Sequence, residues 1–417
     1  VERGVAALAV TMLLFFTMVL GIGFVNRNLI FEQRASANQY RSTQAFEAAE
    51  AGLEWALAQL NDNQRVDADC LPTDDATATS FRERYLGYEP LGMRLSAATW
   101  LDGGVPTALQ PSCVRTATGW RCSCPVSERP GLSAPEGSAA APAFTLRFQS
   151  VAQPGLVRVI AVGCTNLAGA CVPGDGERVD ATAQVQVLFG LLPALRTAPA
   201  AALTARGSID AGVAALGARN SDAASGGLAL HAGDHIDTAH ARLSVPAGGP
   251  AATAVVEHDT ALANLTPAQF FAAFFGVDNN TWRTQPVVRH VTCTGDCTEA
   301  LSSAIGRDAA ASLVHVNGDV TISGPVALGS VQRPVVIIAA GTVRLSGAVA
   351  ITGAVYGGSV VWNDTTGPGA VLRGALISET DYAGNGAPDI VYDAAVLARL
   401  NGNAGGFARV NGSWRDF

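Results

Sequence analysis

The chain has 417 residues, 27 basic and 35 acidic, for a formal net charge of −8. Every basic residue is arginine, and none of them cluster, which excludes a nucleic-acid binder with a clustered basic surface. The length suffices for two or three domains, and 45 glycines with only 15% charged residues suit a β-rich body with tight turns.

Residues 5–25 form an uncharged run, VAALAVTMLLFFTMVLGIGFV. Its length matches the roughly 20 residues that cross a bilayer as a helix. Arg3 precedes it and favours a cytoplasmic start. A cleaved secretory signal would show a shorter apolar run, a helix break and a small-residue cleavage site. Here the pattern continues, with no proline before Pro72. Apolar residues recur at Leu29, Ala35, Tyr40, Phe46, Ala49, Leu53, Leu57 and Leu60, mostly at helical steps. Glu32, Arg34, Arg41, Glu47, Glu50 and Glu54 mostly take the other side. The spacing predicts one helix over residues 5–61, its first half lipid-facing and its second half amphipathic. A subunit that waits in a membrane and then packs into a filament needs both halves. Gly21 and Gly23 either loosen this helix or let a neighbour approach closely.

Three stretches carry a family resemblance: RGVAAL at 3–8, FEQRASAN at 31–38 and AFEAAEAGLE at 45–54. Together they resemble the amino-terminal region of the PilX-type minor pilins of type IV pili. The most specific part comprises Ala45, Phe46, Ala48, Ala49, Glu50, Ala51, Gly52 and Leu53. IVYDAAVLARL at 390–400 more loosely resembles the ends of longer proteins with this amino terminus. The resemblance implies a prepilin leader at 1–4, cut after Gly4 to leave Val5 as a methylated first residue. It implies a single-pass inner-membrane protein with an extracytoplasmic head that later joins a pilus at the cell surface. Its partners would be other major and minor pilins, the prepilin peptidase and the pilus assembly platform. Major pilins carry a glutamate at the fifth mature position; here that position is Ala9. Without that carboxylate the pairing with a neighbour's terminal amine cannot form, which fits a minor subunit at an end of the assembly.

Asn61, Asp62, Asn63, Asp67 and Asp69 end the helix in a polar linker. Strand patterns follow at 144–149, 156–162 and 181–188. Residues 62–195 thus read as a pilin-like β-rich module, a small antiparallel sheet on the helix's second half. PGLSAPEGSAAAP at 130–142 reads as a flexible surface insert. Eight cysteines stand at Cys70, Cys113, Cys122, Cys124, Cys164, Cys171, Cys293 and Cys297. Their intervals are irregular and lack the paired spacing of zinc sites, so disulfides in an oxidising compartment are expected. Cys164 with Cys171, and Cys293 with Cys297, close short loops; the other four admit three pairings.

From residue 196 to 417 short runs open on glycine: GSIDAG at 207, GLALHAG at 227, GDVTISG at 318, GTVRLSG at 341 and GSVVWND at 358. Repetition of this kind predicts a β-helix or β-solenoid-like head, with an all-β sandwich as the alternative. LTPAQFFAAFFG at 265–276 interrupts it with helix-start residues and an apolar face. The fold class expected is α+β with an all-β distal part.

His231, Asp234, His235, Asp237 and His240 crowd together, but no H-E-x-x-H spacing is present, and a solvated turn explains them. Asp381, Asn385, Gly386 and Asp389 resemble a calcium loop, yet Ala383 and Tyr392 occupy two ligand positions. Neither a G-x-S-x-G elbow nor a P-loop occurs. No catalytic residue, metal or cofactor is therefore expected, and the role expected is structural. A secretion-system pseudopilin, and a membrane-tethered β-helix that binds or cleaves carbohydrate, are the competing readings.

Overall fold

One helix, α1 (Arg3–Leu60), runs for 58 residues, about 87 Å at roughly 1.5 Å per residue. The structure is a computed structural model and describes residues 3–89, 94–133, 135, 141–167, 171, 181–247, 249–308, 311–363, 369–402 and 404–416. Of the expected leader, Val1 and Glu2 lie outside the described residues, as do residues 134 and 136–140 of the expected surface insert. From Ala7 to Thr43 every side chain of α1 is exposed; from Ala45 onward one face is buried.

That buried face lies on an antiparallel sheet. The strands run Gly405–Arg409, Thr182–Pro193, Leu156–Cys164, Ala143–Ser150, Ser112–Arg115 and Trp120–Ser123 across it. Alternating residues of the central strands, Val157, Val159 and Ala161 with Val185, Val187 and Phe189, turn inward onto Leu53, Ala56 and Leu60. A short helix, α2 (Phe81–Tyr85), closes the cluster, started by a Ser80 and Glu83 capping box. The expected division at residue 196 assigned the chain's end to the head. Gly405–Arg409 and Arg415–Asp416 instead pair with Thr182–Pro193, so the distal part is inserted between strands of the first sheet.

The inserted part is a stack of parallel strands with three faces. One row reads Arg289, Val314, Ile337, Val355, Leu376, Leu203, Leu230, Val255, each opposite the next. A second reads Val320, Val343, Val360, Tyr382, Ile209, Ile236. The third reads Leu328, Ile351, Leu372, Ile390, Ala218, Leu243. Most of these side chains are buried, and they form one continuous core. The order is not the chain order. The first three coils lie beyond the last one, so the chain leaves one end at Val256 and re-enters the other at Val288.

The segment between those ends carries three helices along the flank. α3 (Pro267–Phe275) starts with a Thr266 and Gln269 capping box and Pro267, and stops at Gly276 in the left-handed region. Phe271 and Phe275 pack edge-on to Tyr356, at 5.0 and 5.7 Å between ring centroids. Trp282 joins them and donates its indole N–H to the Ala194 carbonyl at 3.2 Å.

Four disulfides are present: Cys70 to Cys124, Cys113 to Cys122, Cys164 to Cys171 and Cys293 to Cys297. Three sit in the first module and one in the head.

Candidate functional site

The seam between α1 and the first sheet is built from small residues. Ala45, Ala48, Ala49, Gly52 and Ala56 are all buried and bring the helix backbone close to the strands. The approach is tightest at Gly163, where a Cβ would lie 2.0 Å from the Ala45 carbonyl oxygen and 2.4 Å from the Ala49 nitrogen. Gly52 in turn lies under Phe144, whose ring would sit 2.9 Å from an added Cβ. Thus the AFEAAEAGLE motif marks the contact of stem and sheet. Leu53 is 1% exposed within this seam, while Glu50 faces outward. Ala51 is half-buried beside them. Phe46 and Leu57 are only half-buried, and Phe46 meets Trp414 of the carboxy-terminal tail at 6.2 Å between centroids. Glu54 is exposed and paired with Arg409 of the return strand at 2.6 Å. Gly4 and Val5 lie in α1, and their side chains are outside the described residues.

The carboxyl end of α1 is closed by a buried cation. Arg82 donates through Nε and Nη2 to the Leu60 carbonyl at 3.1 and 2.7 Å, and through Nη2 to the Gly405 carbonyl at 2.5 Å. Its guanidinium lies 4.8 Å from the Phe407 ring centroid. Burial pushes its pKa down to about 10, leaving it charged at neutral pH, as a cation at a helix C-terminus should be. The polar linker expected after the helix is not a solvated strap. Asn61, Asn63 and Arg65 are buried, with Asn63 donating to the Ala311 carbonyl at 2.9 Å and Arg65 to the Gly306 carbonyl at 3.2 Å. These bonds join the stem to the head.

The half of α1 outside this seam is the other candidate surface. Leu13, Phe15, Phe16, Met18, Ile22 and Phe24 are all more than half exposed, and the segment is long and apolar enough to cross a membrane.

The histidine-rich corner is split by the fold. His231 pairs with Asp259 at 2.8 Å, Asp237 accepts from the Ala239 N–H at 2.9 Å, and His240 is exposed and apart from them. His235 and Asp234 instead face Glu257 and His258 from the next coil. Sequence reading missed Glu257 and His258. Aligning LHAGD with VVEHD as successive repeats places them beside this corner, because Leu230 stands opposite Val255 and His231 opposite Val256. The loop carrying Asp381, Asn385, Gly386 and Asp389 does not converge as a cage. Asp381 accepts from the Ser208 N–H at 2.7 Å, Asn385 and Gly386 bond neighbouring coils, and Asp389 is taken by Arg219 and Arg242 at 2.9 and 3.2 Å.

No family model matches the chain, and no curated protein matches it. Among solved structures it is similar to the competence-associated pilin ComZ from Thermus thermophilus, at 14% identity over 90% of this chain and 97% of that one, with a TM-score of 0.20. At that TM-score the likeness carries no argument for fold or role.

Proposed function

We propose that this chain is a structural minor pilin of the PilX type: a membrane-anchored assembly subunit that carries a large head outside the cytoplasm. One observation carries the reading: α1 is divided into a bare apolar half and a half packed through small residues onto an antiparallel sheet. A bare apolar half of this length needs lipid or other helices around it. A subunit held by lipid before assembly and by neighbouring stems afterwards satisfies both requirements with one helix. The four disulfides suit an oxidising extracytoplasmic compartment. In this reading the chain is cut between Gly4 and Val5 by the prepilin peptidase, sits in the inner membrane, and enters the pilus beside major and minor pilins with the assembly platform. The role is structural, not catalytic.

Deleting the gene and imaging surface fibres tests this. Loss or shortening of fibres, restored by the intact gene, is the expected result. Normal fibres with a failed protein-secretion phenotype would make the chain a pseudopilin, and normal fibres with normal secretion would overturn both assembly roles.

A further inference from the structure

We propose that His235, Glu257, His258 and Asp234 bind a divalent cation of the zinc class, which staples the outermost coil of the head to its neighbour. The ligand atoms of His235, Glu257 and His258 all lie within 4.8 Å of one another. His235 Nδ1 stands 3.3 Å from Glu257 Oε2, and His258 Nδ1 stands 3.6 Å from Asp234 Oδ1. Ligands of a tetrahedral ion with bonds of about 2.0–2.1 Å lie roughly 3.4 Å apart, so two edges already have the needed length. The two imidazoles face each other at 6.1 Å between centroids and 27° between planes. Two imidazoles with two carboxylates suit zinc and its neighbours better than calcium or magnesium, which take oxygen ligands.

The surroundings hold these ligands in place. Glu257 Oε2 accepts from the Ile236 N–H at 3.0 Å, and Asp234 Oδ2 accepts from the Ser208 hydroxyl at 3.3 Å. His258 has φ of 56°, a left-handed conformation that non-glycine residues rarely adopt. Its backbone N–H meanwhile donates to the Asp234 carbonyl at 2.9 Å. All three ligands of the central cluster are exposed, so an ion reaches them directly.

The location explains what the ion would do. Val255–Val256 is the last strand of its row, two residues long and, among the described residues, paired on one side only, with Leu230–Ala232. Glu257 and His258 follow it immediately, where the chain leaves the stack for the flanking helices. An edge held by so few ladder bonds is the weakest point of a parallel stack. A cation joining ligands from two successive coils closes that edge without adding a strand.

The test uses the full-length chain in detergent, purified through a tag without histidine and dialysed against a chelator. Zn²⁺ is titrated calorimetrically, and bound metal is counted by elemental analysis. One equivalent should bind and should raise the melting temperature. His235→Ala and His258→Asn should each weaken binding at least tenfold and abolish the thermal gain. Asparagine tolerates the left-handed backbone, so His258→Asn spares the fold. His240→Ala, an exposed imidazole outside the cluster, should bind as the unaltered chain does. Absence of a saturable equivalent, or unchanged affinity in both cluster variants, overturns the proposal.

Discussion

Asn61 and Phe407 stand 346 positions apart and exchange two hydrogen bonds. The Asn61 amide donates to the Phe407 carbonyl at 3.0 Å, and the Phe407 N–H donates to Asn61 Oδ1 at 2.8 Å. The first residue after the stem helix thereby fixes the strand that returns from the head. Everything between them, the whole stack of coils included, hangs from a sheet closed at this point.

Asn61→Ala removes both bonds and leaves two backbone groups of a buried strand unpaired. A buried group left without its partner costs about 1–3 kcal/mol. The full chain in detergent should lose about 2–4 kcal/mol in a denaturant titration. A loss under about 0.5 kcal/mol, the range of an ordinary surface change, would show that the return strand is held by other contacts.

Gly163→Ala should be among the worst single substitutions in the first module. The added methyl meets helix backbone, which has no rotamer to change, so the stem must move off the sheet. A cost above about 3 kcal/mol is expected, at the upper end for overpacking. Gly190→Ala is the control: its nearest neighbours are the Leu156 and Val410 side chains at 3.3 and 3.4 Å, which can shift. Equal melting temperatures for the two variants would refute the close helix-to-strand contact.

The two faces of α1 should respond differently. Leu53→Ala opens a cavity in the seam and should cost about 2–5 kcal/mol. Glu50→Ala, on the exposed face, should cost under about 0.5 kcal/mol. Glu54→Ala loses only an exposed pair with Arg409 and should cost under about 1 kcal/mol. Thermal melting of the three variants decides it; a ranking with Leu53 no worse than Glu50 would contradict the seam.

The disulfides should differ in weight. Cys70 and Cys124 are 54 positions apart, whereas Cys293 and Cys297 are 4 apart. Loop-closure entropy then assigns about 4 kcal/mol to the first and about 2 kcal/mol to the second. Paired Cys→Ser variants, each compared with the parent by chemical denaturation, should follow that order. The reverse order would mean that native packing around the short loop outweighs chain entropy.

Acid should weaken the head through His315. This imidazole is buried on the rung next to His290, at 5.6 Å between ring centroids. Burial, then the nearby His290 from the adjacent strand and Arg283 from the helix Asn279–Arg283, push its pKa from 6.5 down to about 4. Below pH 6.5 the unfolded chain gains a proton that the folded chain refuses, so stability falls until the folded imidazole also titrates near pH 4. Above 6.5 both forms are neutral and the site contributes no slope. His315→Asn should flatten the decline in denaturation midpoint between pH 7.5 and 4.5. An identical pH slope in both proteins would exclude His315 as its source.

Local chemistry was enough to place the pieces that depend on near neighbours. The uncharged run and the apolar face ending at Leu60 specify α1, because helical hydrogen bonds join residues only four apart. Thr266, Pro267, Gln269 and Gly276 likewise mark both ends of α3. Strands at Ala143–Ser150, Leu156–Cys164 and Thr182–Pro193 follow from alternation and their bounding turns. Glycine-opened runs announced coils but not their order. Leu203 fits beside Leu376 as well as any other apolar strand would, and a parallel row offers many equivalent registers. Only the folded chain decides that the first coil sits beside the last, that Gly405–Arg409 belongs to the first sheet, and that Glu257 and His258 meet His235. Each of these pairings joins segments whose local patterns are interchangeable; the choice comes from burying one continuous core, which no short stretch of sequence encodes.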